Sequence, residues 1–223
     1  MNTFVVRLWL PDRPGALGSV ASRIGAVRGD VVGIDILERG AGRAIDELTV
    51  ELPDANLISL LVAEISQVDG VDVEDVRPAT TRGGHAAVEA LETAARLVML
   101  STVDEVFAAL VIHAGASIDA DWAAAVDLES ALLVASVGAP PPPSWLAAFV
   151  AGSTSCQAIA SGGCGPDDVA WALMNDGSMA IVMGRRGRPF RDRERSVVVA
   201  LTTIAEFRRR DLVAYRRELT IPA

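Results

Sequence analysis

The pattern that most constrains this chain is the switching of hydrophobic period through its first 78 residues. Phe4, Val6, Leu8 and Leu10 alternate as on one face of a strand, and Leu17, Val20, Ala21, Ile24 and Val27 then follow helical spacing up to Gly29. Alternation returns at Val32, Ile34 and Ile36, and the turn Gly40-Ala41-Gly42 reverses the chain into Leu48, Val50 and Leu52, which predicts a hairpin. Pro53-Asp54 leads into a second helical stretch with Leu57, Leu61, Ile65 and Val68 on one side. After Gly70, Val71-Asp72-Val73 opens a short fourth strand. A βαββαβ order folds into a four-stranded antiparallel sheet with both helices on one face, the ferredoxin-like arrangement.

Between the first strand and the first helix stands Asp12-Arg13-Pro14-Gly15-Ala16-Leu17. Pro14 suits the first helical position, and Gly15 lets another group approach the backbone. The N–H groups around Gly15, Ala16 and Leu17 add to the positive end of the helix dipole and suit a carboxylate. The Asp12 carboxylate suits an ammonium group, so together they could read an amino-acid zwitterion. The bland alternative is that Asp12 only caps the helix.

This run resembles the D-R-P-G-x-L-like segment of ACT domains, small-molecule-sensing modules that usually bind amino acids. The resemblance implies that Asp12, Arg13, Gly15, Ala16 and Leu17 contact the ligand. It also implies a homodimer, with the ligand between this turn and the second strand of a neighbour, which adds Val31, Val32 and Gly33. RNA-recognition domains share the βαββαβ order but stack bases on exposed aromatics. Here the outward face of the third strand carries Glu47, Thr49 and Glu51, and Trp9 beside Arg7 and Val5 makes no stacking platform.

At 223 residues the chain accommodates two domains of roughly 80 and 130 residues. Pro78 to Gly84 is turn-rich and weakly apolar, which sets an ACT-like domain at 1–78, a linker at 79–85 and a second domain at 86–223. A net charge of −9 argues against binding nucleic acid or an anionic membrane nonspecifically. All twenty basic residues are Arg, none lies between Arg96 and Arg185, and eleven follow from Arg185 onward. That gradient reads as a solvated basic helix face or as a patch for an acidic partner. The start of the chain runs straight into Phe4-Val5-Val6 without a signal-like leader, and the uncharged tract from Ser130 to Pro166 is broken by Pro140 to Pro143 and by Gly162, Gly163 and Gly165. Both observations predict a reduced cytoplasmic protein without a membrane span.

In the second domain, Glu92 and Arg96 form an i,i+4 helical pair, and Thr102 to Glu105 has capping-box form ahead of Val106, Phe107, Leu110 and Val111. Strand-like segments follow at Trp122 to Leu128, Ala131 to Val137, Val169 to Met174 and Met179 to Met183, the last two around the turn Asn175-Asp176-Gly177. A long helix begins near Arg191, with Val197, Leu201, Ile204, Ala205 and Leu212 on its apolar side. The stretch Ala180 to Arg195 and this helix resemble the end of a GAF domain, a ligand-binding box with a six-stranded antiparallel sheet roofed by helices and loops. The resemblance places Trp145, Phe149, Cys156 and Gln157 around a neutral pocket, or around an empty core.

The chain departs from the signalling GAF pattern. Arg188 to Asp192 is a remnant of the N-K-x-F-x-D-E-like segment of the cyclic-nucleotide type, so no nucleotide-binding role carries over, and the domain is a degenerate member. Cys156 and Cys164 read as buried or loop thiols, with a disulfide or redox pair as the alternative. His85 and His113 lack partners at metal-ligand spacing, Asp119-Ala-Asp121 is an isolated acidic loop, and no Walker or dinucleotide fingerprint is present. We therefore expect no enzyme, metal or cofactor, and a regulatory protein that binds a small molecule, an amino acid above all, at the ACT dimer interface. The alternatives are a protein-interaction subunit without a small ligand and small-molecule or nucleotide sensing by the GAF-like domain.

Overall fold

The computed structural model describes residues 2–79, 86–155 and 168–220. The chain divides into two compact α+β units, residues 1–85 and 86–223, each built on its own antiparallel four-stranded sheet. His85, Cys156, Gln157 and Cys164 lie outside the described residues. No helix among the described residues is long and apolar enough to cross a membrane.

In the first unit β1 (Asn2–Pro11), α1 (Ala16–Ala26), β2 (Asp30–Gly40), β3 (Arg43–Leu52), α2 (Ile58–Ile65) and β4 (Asp72–Pro78) follow in the expected order. The sheet runs β2-β3-β1-β4, with Val6 opposite Leu48 on one side and Val76 on the other. This strand order, with both helices packed on one side of the sheet, is ferredoxin-like. Phe4, Val6, Leu8 and Leu10 of β1 and Leu48, Val50 and Leu52 of β3 meet Val20 and Ile24 of α1 and Leu61 and Ile65 of α2 in one buried cluster. Each such side chain contributes about 1.5–3 kcal/mol on burial. Asp54 accepts a hydrogen bond from Asn56 N–H at 2.9 Å and so starts the short 3-10 turn ahead of α2.

One local expectation is corrected, the helix stop at Gly29. The helix-ending residue in the left-handed conformation is Arg28, with φ +63°, rather than Gly29. Arg28 N–H bonds Gly25 O at 2.9 Å and Gly29 N–H bonds Ile24 O at 3.0 Å, the paired bonds of a Schellman motif. Glycine is needed one position later for space, because a Cβ there would stand 2.9 Å from Ile24 Cγ2. Strand β2 lies at the edge of the sheet. Its alternating row Val32, Ile34 and Ile36 is 45%, 45% and 38% exposed, while Leu37, next to the irregularity between Ile36 and Glu38, is buried.

The second unit contains α3 (Ala86–Met99), α4 (Val103–Ser117), β5 (Trp122–Asp127), β6 (Leu132–Val137), α5 (Pro143–Ser155), β7 (Val169–Leu173), β8 (Met179–Gly184) and α6 (Asp192–Thr220). Its sheet runs β6-β5-β8-β7, four strands among the described residues against the six that the GAF resemblance implied. Helices α3, α4 and α6 cover one face, where Ala123, Ala125, Ile181 and Met183 meet Phe107, Leu110 and Leu201. Helix α5 covers the other, with Leu146 and Val150 on Ala124, Val126, Ala180 and Val182. Burial on both faces explains why β5 and β8 read as continuous apolar runs. The Thr102–Glu105 capping box forms reciprocally. The Pro run, read from sequence only as a breaker, delivers Pro143 to the first position of α5, where its missing N–H costs nothing.

Candidate functional site

The turn between β1 and α1 is anchored at its start by Asp12 N–H on Gly42 O at 2.9 Å and Arg13 N–H on Pro11 O at 2.8 Å. Gly42 belongs to a two-residue hairpin in which Ala41 and Gly42 both have positive φ, so the tip of the β2–β3 hairpin supports the turn. Helix α1 begins at Ala16 with Gly15 as its N-cap, which corrects the placement of Pro14 at the first helical position. Gly15 has φ +88° and ψ −15°, a left-handed conformation that reverses the chain before the helix. No side chain caps the helix, so Asp12 is not its cap.

Ala16 N–H is turned to Arg13 O at 3.3 Å, leaving Leu17 and Gly18 as the next donors at the positive helix end. The Ala16 side chain is buried and the Leu17 side chain packs partly into the core, so either residue could offer a ligand only its backbone. Asp12 and Arg13 are exposed, and the Arg13 guanidinium stands 3.9 Å from Asp69. Beside the helix start lies an open depression of about 580 Å3 lined by Gly15, Gly18, Ser19, Ser22, Arg23 and Val68. Arg23 is held there by Glu64 and Gln67, each at 3.0 Å. Of the ligand-site residues named from sequence, Gly15 alone lines this depression.

Asp46 is a residue that sequence reasoning missed. It sits on β3 in the phase of Ala44, Leu48, Val50 and Leu52, opposite Leu8 of β1 and Ile36 of β2, and is only 3% exposed. Among the described residues its Oδ1 has no hydrogen-bond partner. Burial pushes its carboxyl above the usual range, Arg39 draws it back and the nearby Asp12 charge raises it further. The signal was present in the sequence as an aspartate in a run of core-facing positions.

Within one chain, Val31, Val32 and Gly33 do not meet the turn. Val31 pairs with Val50, which pairs with Phe4, whereas the turn follows Leu10, six residues and about 20 Å along the sheet. On the other face of the sheet Glu47 is not a bare acidic residue. Its Oε1 accepts from Arg7 Nε and Arg77 Nη2, each at 2.8 Å, and Arg77 Nη1 also reaches Asp75 at 3.0 Å. Trp9 carries the Arg43 guanidinium 5.2 Å from its ring centre.

In the second unit Trp145 and Phe149 are neighbours on one face of α5, stacked at 5.4 Å with rings 5° apart, and Phe149 meets Trp171 of β7 edge-on at 6.4 Å. They form an aromatic stack on the sheet. The segment Arg188–Asp192 wraps a buried Arg185, which bonds the carbonyls of Ile118, Arg188 and Pro189 and both oxygens of Glu194 and lies 4.0 Å over the Phe190 ring. That arginine locks the loop onto the start of α6. The arginines that suggested a docking patch are also engaged within the unit: Arg208 donates twice to Leu100 O, Arg209 pairs with Asp176 and Arg210 with Glu206. Among the described residues no three His, Cys, Asp or Glu side chains converge as a metal site.

No family model matches the sequence, and no curated protein matches it. Solved structures do match at low identity. The ACT domain from GTP pyrophosphokinase of Chlorobium tepidum is 15% identical, covering 35% of this chain and 97% of that one with a TM-score of 0.29. An ACT domain protein from Streptococcus pneumoniae is 13% identical, covering 38% and 97% with a TM-score of 0.31. A protein of unknown function from Galdieria sulphuraria is 16% identical and covers 92% of each chain with a TM-score of 0.33. The ferredoxin-like assignment of residues 1–85 rests on strand order and helix placement alone.

Proposed function

We propose that the chain is a non-catalytic regulatory protein whose first domain binds an amino acid at the β1–α1 turn, between two copies of the chain. The observation that carries this reading is a helix start with no side-chain cap, opened by the left-handed Gly15 and flanked by the exposed Asp12. The ligand carboxylate takes the Leu17 and Gly18 N–H groups and the helix dipole, and the ammonium takes Asp12. Pairing of β2 with its copy about a twofold axis near Ile34 and Asp35 sets the neighbour's Val31 to Gly33 opposite Ile36 to Glu38, on the half of the strand nearer the turn. The exposed row Val32, Ile34 and Ile36 supports that pairing. A ligand favouring one dimer arrangement shifts its population, which is the regulatory step.

The test is a thermal shift across the common amino acids and nucleotides, repeated with Asp12→Ala. Saturation a hundredfold above Kd stabilises by about 2.7 kcal/mol. A shift with an amino acid, weakened in Asp12→Ala, supports the reading. No shift with any amino acid overturns it, and a shift that Asp12→Ala leaves intact moves the site elsewhere.

A further inference from the structure

Arg23 lines the depression beside the start of α1, and its guanidinium is fixed there by a closed ring of hydrogen bonds to Glu64 of α2 and Gln67 just beyond it. Nη1 donates to Glu64 Oε2 and to Gln67 Oε1, and Gln67 Nε2 donates to Glu64 Oε1 at 3.3 Å. Both bonds of the arginine thus leave through one nitrogen. Nε and Nη2, which share an edge of the planar group, have no partner among the described residues. Two parallel N–H donors on one edge match the two oxygens of a carboxylate, whereas a carboxamide offers them a single acceptor. The space between the helix start and Arg23 is open. Gly18 lines the same depression in the first turn of α1, and a Cβ there would meet nothing within 4 Å, so packing does not demand glycine at a position where alanine is the better helix former. Gly18 and Arg23 stand about 7.5 Å apart along the axis, and helical side chains lean back toward the N-terminus, which shortens the gap.

We propose that this depression receives the side chain of the amino acid bound at the turn, and that the open Nε–Nη2 edge of Arg23 selects a side-chain carboxylate, so that the ligand is aspartate or glutamate. This rests on the amino-acid reading above and names the class of its ligand. The α-carboxylate stays at the helix start, the chain of the ligand crosses the open space over Gly18, and the second carboxylate takes both donors of Arg23. Glu64 already balances the arginine's charge, so selection comes from the shape of the fork rather than from net charge. Glu64 and Gln67 act as positioning residues that hold the fork in place before the ligand arrives.

The full chain is titrated calorimetrically with each of the twenty common L-amino acids in the wild type, in Arg23→Lys and in Gly18→Leu. Aspartate or glutamate is expected to bind tighter than asparagine and glutamine by on the order of tenfold or more. Arg23→Lys keeps the charge and loses the fork, so it should weaken binding of the acidic ligand by a similar factor and bring its preference over the matching amide toward unity, a change that a merely structural arginine would not produce. Gly18→Leu should fill the open space and weaken binding as much, while the free variant melts at or above the wild-type temperature because leucine is the better helix former. A best ligand without a side-chain carboxylate overturns the assignment while the amino-acid reading stands. Acidic-ligand affinity within twofold of wild type in either variant, or an acid-over-amide preference that survives Arg23→Lys, overturns it as well. If Gly18→Leu melts lower, the preference measured in Arg23→Lys decides alone. Absence of any amino-acid hit in the wild type overturns both readings together.

Discussion

Glu47 and Asp46 are neighbours on β3, point to opposite faces of the sheet and respond to pH with opposite sign. At Glu47 burial would raise the carboxyl, but the Arg7 and Arg77 guanidiniums outweigh it and hold the group below the usual range. A depressed folded-state value means that Glu47 stabilises the fold above the unfolded value, near 4.3, and that this is lost as pH falls through the folded value. Glu47→Gln should cost about 3 kcal/mol at pH 7 by removing the carboxylate charge that faces the buried Arg7, and should flatten the acid limb of a melting-temperature profile. An acid limb as steep as that of the wild type would remove Glu47 from that role. Asp46, raised by burial, runs the other way: its stabilising share is present at low pH and fades as pH rises through its folded value. At Gly15 a Cβ would meet nothing within 4 Å, so the requirement is conformational alone. Gly15→Ala should destabilise by about 1 kcal/mol, read by chemical denaturation, and a neutral result would mean that the turn relaxes to negative φ.

Periodicity made the elements of the first unit legible, because Phe4 to Leu10 and Leu48 to Leu52 each bury one face and a half-buried strand must alternate. What it could not reveal was which residue takes which backbone conformation at an element's end. Gly29 reads as a stop because glycine most often supplies the left-handed residue, yet here Arg28 does so and Gly29 serves the packing of Ile24 and Leu52. The two roles separate by mutation. Gly29→Ala should cost on the order of 1–2 kcal/mol by crowding Ile24, whereas Arg28→Gly should stabilise by up to about 1 kcal/mol by relieving the left-handed strain. Equal losses in both variants would contradict the assignment. The same limit hid Asp46, since alternation assigns a face but says nothing of whether a polar group on it finds a partner. It hid α5 as well, because Pro140 to Pro143 reads as an interruption until one sees Pro143 used as a helix start.

At the scale of the molecule, the proposed function uses the edge position of β2 to tie oligomeric state to ligand binding. An edge strand carrying Val32, Ile34 and Ile36 in a half-exposed row is a surface that folded proteins ordinarily blunt with charge or cover. One chain keeps its turn and its Val31 to Gly33 about 20 Å apart along the sheet, so a site using both requires a second copy. The two properties must then fail together. Ile34→Lys places a charge at the centre of the edge, beside its copy in the twofold pair, at a position opposite Leu48 that is itself 45% exposed. Light scattering should report a wild-type dimer and an Ile34→Lys monomer with unchanged circular dichroism. Amino-acid affinity in the variant should fall by on the order of tenfold or more, because half of the contacts leave with the neighbour. A variant that becomes monomeric yet binds with wild-type affinity would confine the site to a single turn and detach ligand binding from dimerisation.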